Sequence, residues 1–430
     1  MIKNRTIFTG DNLPILRGMA DESVDLIYLD PPFNSNRNYE APIGSAAAGA
    51  SFKDAWTFED RDDAWWGQIA EDRPELHTVI DTVGKVGGKG AQAYSIYMTV
   101  RLLEMHRVLK DTGSIYLHCD QTMSHSLKLA MDAIFGRTNF RNEIIWHYGK
   151  MSNTSRNYPQ NHDTILFYSK TDGYTFTPIK GGESEYRNRY EKHLVGNQVL
   201  YGSVKHSQDK LILGRVKKVK QGLGRDLRDD DVLFDFDEEF KTQSNVMYIP
   251  IIKGNSKERT GYPTQKPLEL LRRIVKASSN KGDMILDPFC GCATACVAAE
   301  DEKREWAGID ISELAFNIVR ERLHKSREDG GIGSLFANEV INRKDIPRDR
   351  GVVRSKDIKH TLYGQQEGIC KGCLVHFSFR NLEEDHIVPV SKGGSEDDSN
   401  KQLLCGACNR KKGPNDMPCL IAQLRREGLR

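Results

Sequence analysis

The sequence predicts an α/β protein with a mostly parallel sheet covered by helices and a small cysteine-rich module at its C-terminal end. Three observations carry this. Short apolar runs recur and end in acidic residues: Ile7-Phe8-Thr9 before Gly10-Asp11, Val24 to Leu29 before Asp30, Ser114 to Cys119 before Asp120. Segments with apolar residues at helical spacing alternate with such runs, the pattern of strands joined by crossover helices. Finally, Cys370-Lys371-Gly372-Cys373 and Cys405-Gly406-Ala407-Cys408 form two C-x-x-C pairs.

The elements follow in order. Met98, Leu102, Met105 and Leu109 predict a helix over Tyr97 to Lys110, and a second is expected over Ser126 to Phe135. The alternation resumes with helix Pro267 to Ala277, strand Met284 to Leu286, helix Thr294 to Asp301, strand Trp306 to Ile309 and helix Glu313 to Leu323. Residues 34 to 93, including Gly44 to Gly49, read as irregular, and loops of that length are usually functional or mobile. Residues 171 to 258 are charged and irregular, and read as an inserted specificity element. Residues 326 to 355, polar and rich in Gly, Asp and Arg, read as a linker. The expected division is therefore 1–170, 171–258, 259–325, 326–355 and 356–430. No internal repeat is visible.

Composition bounds the class. At about 150 residues per domain, 430 residues make two or three domains. Hydrophobic residues are 38% of the chain, and no apolar run approaches the roughly 18 residues needed to span a membrane. Met1 to Arg5 lead straight into a strand-like segment with no apolar signal core. The expected location is the cytoplasm, including the nucleoid, of a prokaryote or a phage host. A net charge of +2 does not point to nucleic acid. Lys205 to Arg225 is basic and Asp226 to Glu239 acidic, which fits either solvated loops or a surface that meets phosphates. Of nine cysteines, Cys119, Cys290, Cys292, Cys296 and Cys419 lack metal-like spacing. In a cytosolic chain Cys370, Cys373, Cys405 and Cys408 read as a metal site rather than disulfides.

Asp30-Pro31-Pro32-Phe33 follows an apolar strand, and in open α/β sheets ligands bind beyond the carboxyl ends of strands. An exocyclic base amine is a poor nucleophile because its lone pair is delocalised into the ring. A carboxylate and a backbone carbonyl accepting its two N–H bonds draw the nitrogen towards tetrahedral geometry and free the lone pair to attack a methyl sulfonium in line. Two prolines fix φ and supply no competing N–H. Phe33 offers a face for an extruded base. The tetrapeptide also occurs as an ordinary turn.

A second segment, Met284 to Thr294, reads as strand, tight turn and helix start. Gly291 lets the backbone approach a ligand, and the helix N-terminus after it favours a carboxylate. Asp310, about 20 residues on, suits ribose hydroxyls. The G-x-G-x-x-G fingerprint is absent. A cofactor with a ribose and a carboxylate but no pyrophosphate fits better than NAD; the alternative is a generic βα turn.

With both segments in view, residues 1 to about 325 resemble the β-class of DNA amino-methyltransferases. The matching stretches are Gly10 to Leu13, Asp30 to Phe33, Gly113 to Asp120, Thr264-Gln265-Lys266-Pro267, Asp287 to Gly291 and Gly308-Ile309-Asp310. The resemblance implies a Rossmann-like, S-adenosylmethionine-dependent fold, with a target-recognition region at 171–258 between the catalytic and cofactor-binding halves. It implies that Asp30, Pro31, Pro32 and Phe33 form the catalytic segment holding the target amine. Asp287, Phe289 and Gly291 would cradle the methionine part, Asp310 the ribose, and Asp11 would lie near the cofactor adenine. Thr264 and Lys266 would pack beside the cofactor. Double-stranded DNA is the implied partner, with adenine favoured over cytosine, and a homodimer is one assembly open to the class. Ala293 stands where many members carry a second glycine, which predicts altered packing rather than lost binding.

The spacing of the four C-terminal cysteines is that of a closed zinc site, and structural zinc can supply the stability that so small a module lacks. Glu384 to Pro389 lies between the knuckles, and Asn400 and Asn409 follow in order. Residues 360 to 415 resemble the HNH, or ββα-metal, nucleases. That resemblance implies His386 as general base, Asn400 orienting the hairpin or His386, and Asp385 with Asn409 holding Mg²⁺ or a similar divalent ion. Asn409 replaces a frequent histidine. The alternative is a zinc module that only binds DNA. Together the two motif sets imply an enzyme of restriction–modification type. RNA enzymes can share the Asp-Pro-Pro-Phe solution, but the long insert and the nuclease motif favour DNA.

Overall fold

The computed structural model describes residues 2–41, 51–149, 156–179, 191–196, 198–235, 244–328, 339–349 and 357–430. Nine strands form one sheet: β1 Thr6–Thr9, β2 Val24–Leu29, β3 Leu109–Cys119, β4 Phe140–His147, β5 His162–Ser169, β6 Val246–Tyr248, β7 Met284–Asp287, β8 Glu305–Asp310 and β9 Ile341–Arg343. Their order is β6-β4-β5-β3-β2-β7-β8-β1-β9. Every pairing is parallel except the two made by β5. Strand periodicity divides the core: Ile27 and Leu29 of β2 face one apolar cluster, and Leu26 and Tyr28 face the other. Helix Leu268–Ser278 lays Leu270, Leu271, Ile274 and Val275 on the second face. The expected α/β architecture is therefore present.

Three regions differ from the sequence reading. The helix expected over Tyr97 to Lys110 runs Lys89–Val108, and Leu109 and Lys110 belong to β3. Its first turns bury Ala91, Gln92, Ala93, Tyr94 and Ser95, so no one-sided stripe marks them. The described part of residues 34 to 93 is largely ordered secondary structure. They contain a hairpin, Arg37–Glu40 with Ser51–Asp54, and helices Asp63–Asp72 and Pro74–Gly87. Asp62 caps the former by accepting from the Trp65 N–H at 2.9 Å. Within 326–355, β9 pairs with β1 on the sheet edge, and the Asp349 N–H donates to the Gly18 carbonyl at 3.0 Å. The segment read as linker is thus partly laid against the sheet.

Within the segment 171–258 read as an insert, residues 194–235 carry a small fold of their own, whereas β6 at its far end joins the main sheet. Strands Leu194–Val195, Gln198–Leu200 and Val232–Asp235 form an antiparallel sheet beside helix Lys210–Leu223. Val199, Val204, Ile212, Leu233 and Phe234 make its core. The helix holds much of the basic run. Gly44 to Gly49, residues 180–190 and 236–239, and 329–338 and 350–355 of the expected linker lie outside the described residues.

The C-terminal module packs helix Ile358–Gln366, hairpin Leu382–His386 with Lys401–Cys405, and helices Gly406–Lys412 and Met417–Arg426 around Leu362, Tyr363, Phe379, Leu403, Leu404 and Leu420. Among the described residues no helix is long and apolar enough to cross a membrane.

Candidate active sites

β2 and β7 are parallel neighbours, with Leu26 beside Ile285 and Ile27 beside Leu286. Their carboxyl ends therefore open side by side. A pocket of about 500 Å³ lies there, lined by Asp11, Asp30, Pro31, Pro32, Phe33, Thr264, Lys266, Asp287, Phe289, Gly291 and Asp310. The structure thus brings together every residue expected at the first site.

Local backbone chemistry shapes this pocket. Asp11 caps helix Asn12–Gly18 through the Leu13 N–H at 2.9 Å, and the same oxygen accepts from Arg101 at 2.8 Å. Gly291 has φ +48°, and a Cβ there would stand 2.9 Å from the Tyr262 ring. Asp310 accepts from the Gly291 and Ser312 N–H groups, both at 2.8 Å. Burial still raises its carboxyl above the usual range. Burial raises Asp287 well above that range too, with the Asp30 and Asp310 charges adding to it. Ala293 and Thr264 both lie in the left-handed region, at φ +56° and +60°. That region is uncommon for residues with a Cβ, most of all for a β-branched one.

Lys266 donates to both Asp30 oxygens, at 2.7 and 2.9 Å. Its ammonium also stands 5.2 Å from the Phe33 ring centroid. Lys266 was expected beside a cofactor; it lines the pocket, but its ammonium is the partner of Asp30. Phe33 stacks on the His118 ring at 5.8 Å. His118 is bonded on one side to the Tyr28 hydroxyl at 2.9 Å and on the other to Asp163 at 3.0 Å. Burial opposes ionisation of Asp163, but the bonds from His118, the Lys266 charge and the Tyr148 hydroxyl hold it below the usual range.

Sequence reading missed several of these groups. Arg101 is 1% exposed and bonds Asn12 and Asp11. Its signal was an arginine within the Met98–Leu102–Met105 stripe, where a charge belongs only if paired. Asp54, 1% exposed, accepts from the Asn34 N–H at 2.6 Å and from Ser35, and so holds the chain just after Phe33. Tyr262 and His118 gave no sequence signal beyond sitting in or near matched stretches.

In the C-terminal module the Sγ atoms of Cys370, Cys373, Cys405 and Cys408 all lie within 4.8 Å of one another. Asn400 clamps the loop after His386. Its Oδ1 accepts from the Val388 N–H at 3.0 Å, and its Nδ2 donates to the Val388 and Ser395 carbonyls at 3.0 and 2.7 Å. His386 Nε2 meets Glu396 at 3.1 Å. Asp385 accepts from Gln402 at 2.8 Å and from the buried Lys412 ammonium at 3.2 Å. Asn409 donates to Glu383 at 2.8 Å. Glu383 and Asp385 alternate on one strand and so share a face; Asp385 and Asn409 are not bonded to a common partner.

Comparison with known proteins gives a family match to each of the two parts of the chain. Residues 24–321 match the family described as DNA methylase, and residues 370–415 match HNH endonuclease. The chain is 29% identical over 384 residues to the type II methyltransferase M.EcaI of Enterobacter cloacae, covering 80% of this chain and 74% of that protein. It is 27% identical over 331 residues to the DNA adenine methyltransferase YhdJ of Escherichia coli (strain K12), covering 76% and 86%. Among solved structures, the PvuII DNA methyltransferase (cytosine-N4-specific) covers 80% of this chain and 96% of its own at 13% identity and TM-score 0.42. The M1.HpyAVI–SAM complex covers 74% and 98% at 16% and 0.37. At such TM-scores these likenesses carry no weight beside the family match. With the pocket at the ends of β2 and β7 and a match over residues 24–321, the chain belongs to the N6/N4 DNA methylase family, and an HNH endonuclease domain follows it at the C-terminal end.

Proposed function

We propose that the protein transfers a methyl group from S-adenosylmethionine to an exocyclic amine of a base in double-stranded DNA, adenine rather than cytosine, and that its C-terminal module cuts DNA in a restriction–modification activity. The observation that carries the first part is that Asp30 and Gly291 line one pocket.

The residues fit the cofactor. Gly291 brings bare backbone to the pocket wall, where a Cβ would be forced against the Tyr262 ring. The buried Asp287 carboxyl, held high by burial and neighbouring carboxylates, would be relieved by a cationic amino group. Asp310 and Asp11 offer acceptors for hydroxyls and amines. When bound, S-adenosylmethionine supplies an electrophilic methyl on a sulfonium. Asp30 accepts one N–H of the target amine, and a Pro-Pro backbone carbonyl accepts the other. Phe33, backed by His118, receives the face of the extruded base. Lys266 first has to leave Asp30, and the Thr264 carbonyl, which already accepts from its ammonium at 3.4 Å, keeps it partnered.

The four thiolates suit a closed tetrahedral zinc site. His386, with Nε2 on Glu396, keeps Nδ1 to take a proton from water. Asp385 and Asn409 would hold a divalent ion, which supplies charge stabilisation at the scissile phosphate. The insert with its basic helix is the target-recognition element. The family reading also makes a homodimer the assembly to look for by light scattering, and a nucleoid-facing cytoplasmic location the one to look for in cells.

Mapping modified bases in DNA from cells that express the protein tests base and context together. N6-methyladenine at a repeated sequence is the expected result, and N4-methylcytosine would overturn the choice of base. A second reading makes the C-terminal module a non-catalytic zinc clamp on DNA. It is favoured by Lys412 and Gln402 occupying Asp385 and by Glu383 engaging Asn409. His386→Ala decides: loss of cutting with methylation kept supports the nuclease, whereas cutting absent in both proteins supports the clamp.

A further inference from the structure

The C-terminal module is joined to the methylase core by more than its chain connection. Helix Asp63–Asp72 of the core crosses helix Ile358–Gln366 of the module with the two backbones in contact at two points. A Cβ on Gly67 would stand 2.1 Å from the His360 carbonyl oxygen, and one on Gly364 would stand 2.2 Å from that of Asp63. Both obstacles are backbone, so only glycine fits at either position.

Polar and aromatic contacts ring the crossing. The Arg61 guanidinium, in a side chain 3% exposed, bonds the Gly364 carbonyl and Glu367, both at 3.0 Å. Lys89 reaches the same Glu367 at 2.6 Å. His360 bonds Glu71 at 2.7 Å. His77 stacks on Trp66 at 3.9 Å and meets the Tyr363 ring at 5.9 Å. Ala70 is part of the module's own apolar cluster.

Each helix is also tied to a site. On the module side, Gln366 exchanges two hydrogen bonds with Leu403, on the strand paired with the one that carries Asp385 and His386. On the core side, Trp65 lies 5.4 Å from the Arg101 guanidinium, which holds Asp11 at the pocket. A packed path therefore runs from the methyl-transfer pocket to the HNH hairpin.

We propose that this crossing makes the two modules one rigid body on DNA, so that strand cleavage falls at a set offset from the base that enters the pocket. The cleavage consequence rests on the nuclease reading above; the rigid body does not. A module swinging on a flexible tether would scatter its cuts.

The experiment uses the full chain, with Gly364→Leu as the disrupting variant. Glu367→Lys, which sets a third cation against Arg61 and Lys89, is the second variant and leaves the apolar core untouched. Hydrogen exchange over residues 63–72, zinc content, and cut positions relative to mapped methylated bases are read together. The expected result is one narrow offset in the wild type. In both variants we expect scattered or absent cuts, with exchange over 63–72 about tenfold faster for Gly364→Leu and about threefold for Glu367→Lys. If Gly364→Leu loses its zinc, Glu367→Lys alone decides. Unchanged exchange and an unchanged offset in the deciding variant would overturn the proposal, as would scattered cuts in the wild type. A wild type that methylates and never cuts removes the nuclease reading alone, and exchange then settles the rigid body: faster in the variants supports it, unchanged refutes it.

Discussion

Lys266 and Asp30, 236 positions apart, form an ion pair in which one ammonium bonds both carboxylate oxygens. On the function proposed above, the pair sits where the target amine would dock, so the lysine would stand in for the substrate's N–H groups and keep the carboxylate partnered until then. Removing one member of such a pair strands a charge. Lys266→Met is expected to destabilise the fold by about 3 kcal/mol, and the double variant with Asp30→Asn to recover most of that loss. Urea melts of the four proteins check this. Cofactor affinity by calorimetry should change less than about threefold, a 0.7 kcal/mol effect. A hundredfold loss would return Lys266 to the cofactor.

Ala293 lies at φ +56° and is fully buried. The left-handed region costs a residue with a Cβ about 1–2 kcal/mol, and the greater freedom of glycine in the unfolded chain cancels part of the gain. Ala293→Gly should therefore raise stability by about 0.5–1 kcal/mol net. A lower denaturation midpoint would contradict this.

His77, at the crossing, has a buried Nε2 with no hydrogen-bond partner among the described residues. Burial lowers its pKa to about 4, Asp81 opposes the shift, and His376 and Lys85 add to it. A depressed folded value means that the unfolded chain binds the proton first as pH falls from about 6.5. Stability should fall with pH over that window and level off near pH 4. His77→Phe should flatten this limb in thermal melts taken from pH 7 to 4; an unaltered slope would exclude His77 as its source.

The four-thiolate cluster predicts one zinc per chain. Chelation, or Cys370→Ser, should release the metal and unfold the module, because metal binding at such sites is folding free energy. Methyl transfer should stay within about threefold, an effect of roughly 0.7 kcal/mol on the barrier. Loss of the metal with the module's exchange protection intact would show the cluster to be dispensable.

The sheet and the pocket were legible because both leave local marks. Apolar strands end at Asp30, Asp287 and Asp310, and tight-turn chemistry marks Gly291. What stayed hidden is non-local. The partnership of Lys266 with Asp30 joins two motifs that sequence reading kept apart. Helix Lys89–Val108 is buried around its first turns and shows no stripe there. The helices at 63–87 gain much of their packing from elsewhere, including helix Ile358–Gln366. Gly67 and Gly364 look like helix-weakening residues until the crossing shows what they admit. In the C-terminal module the motif marked Asn400, which bonds the loop after His386. The engagement of Asp385 by Lys412 and Gln402 had no sequence signal.

The central claim is that Asp30 and the turn at Gly291 serve one transfer reaction. Its most direct test is transfer of a labelled methyl group from S-adenosylmethionine into duplex DNA by the wild type and by Asp30→Ala. Labelled DNA is expected with the wild type, and in the variant a rate at least about a thousandfold lower, a loss of roughly 4 kcal/mol of barrier lowering, with the cofactor still bound. Transfer by Asp30→Ala at the normal rate would contradict it.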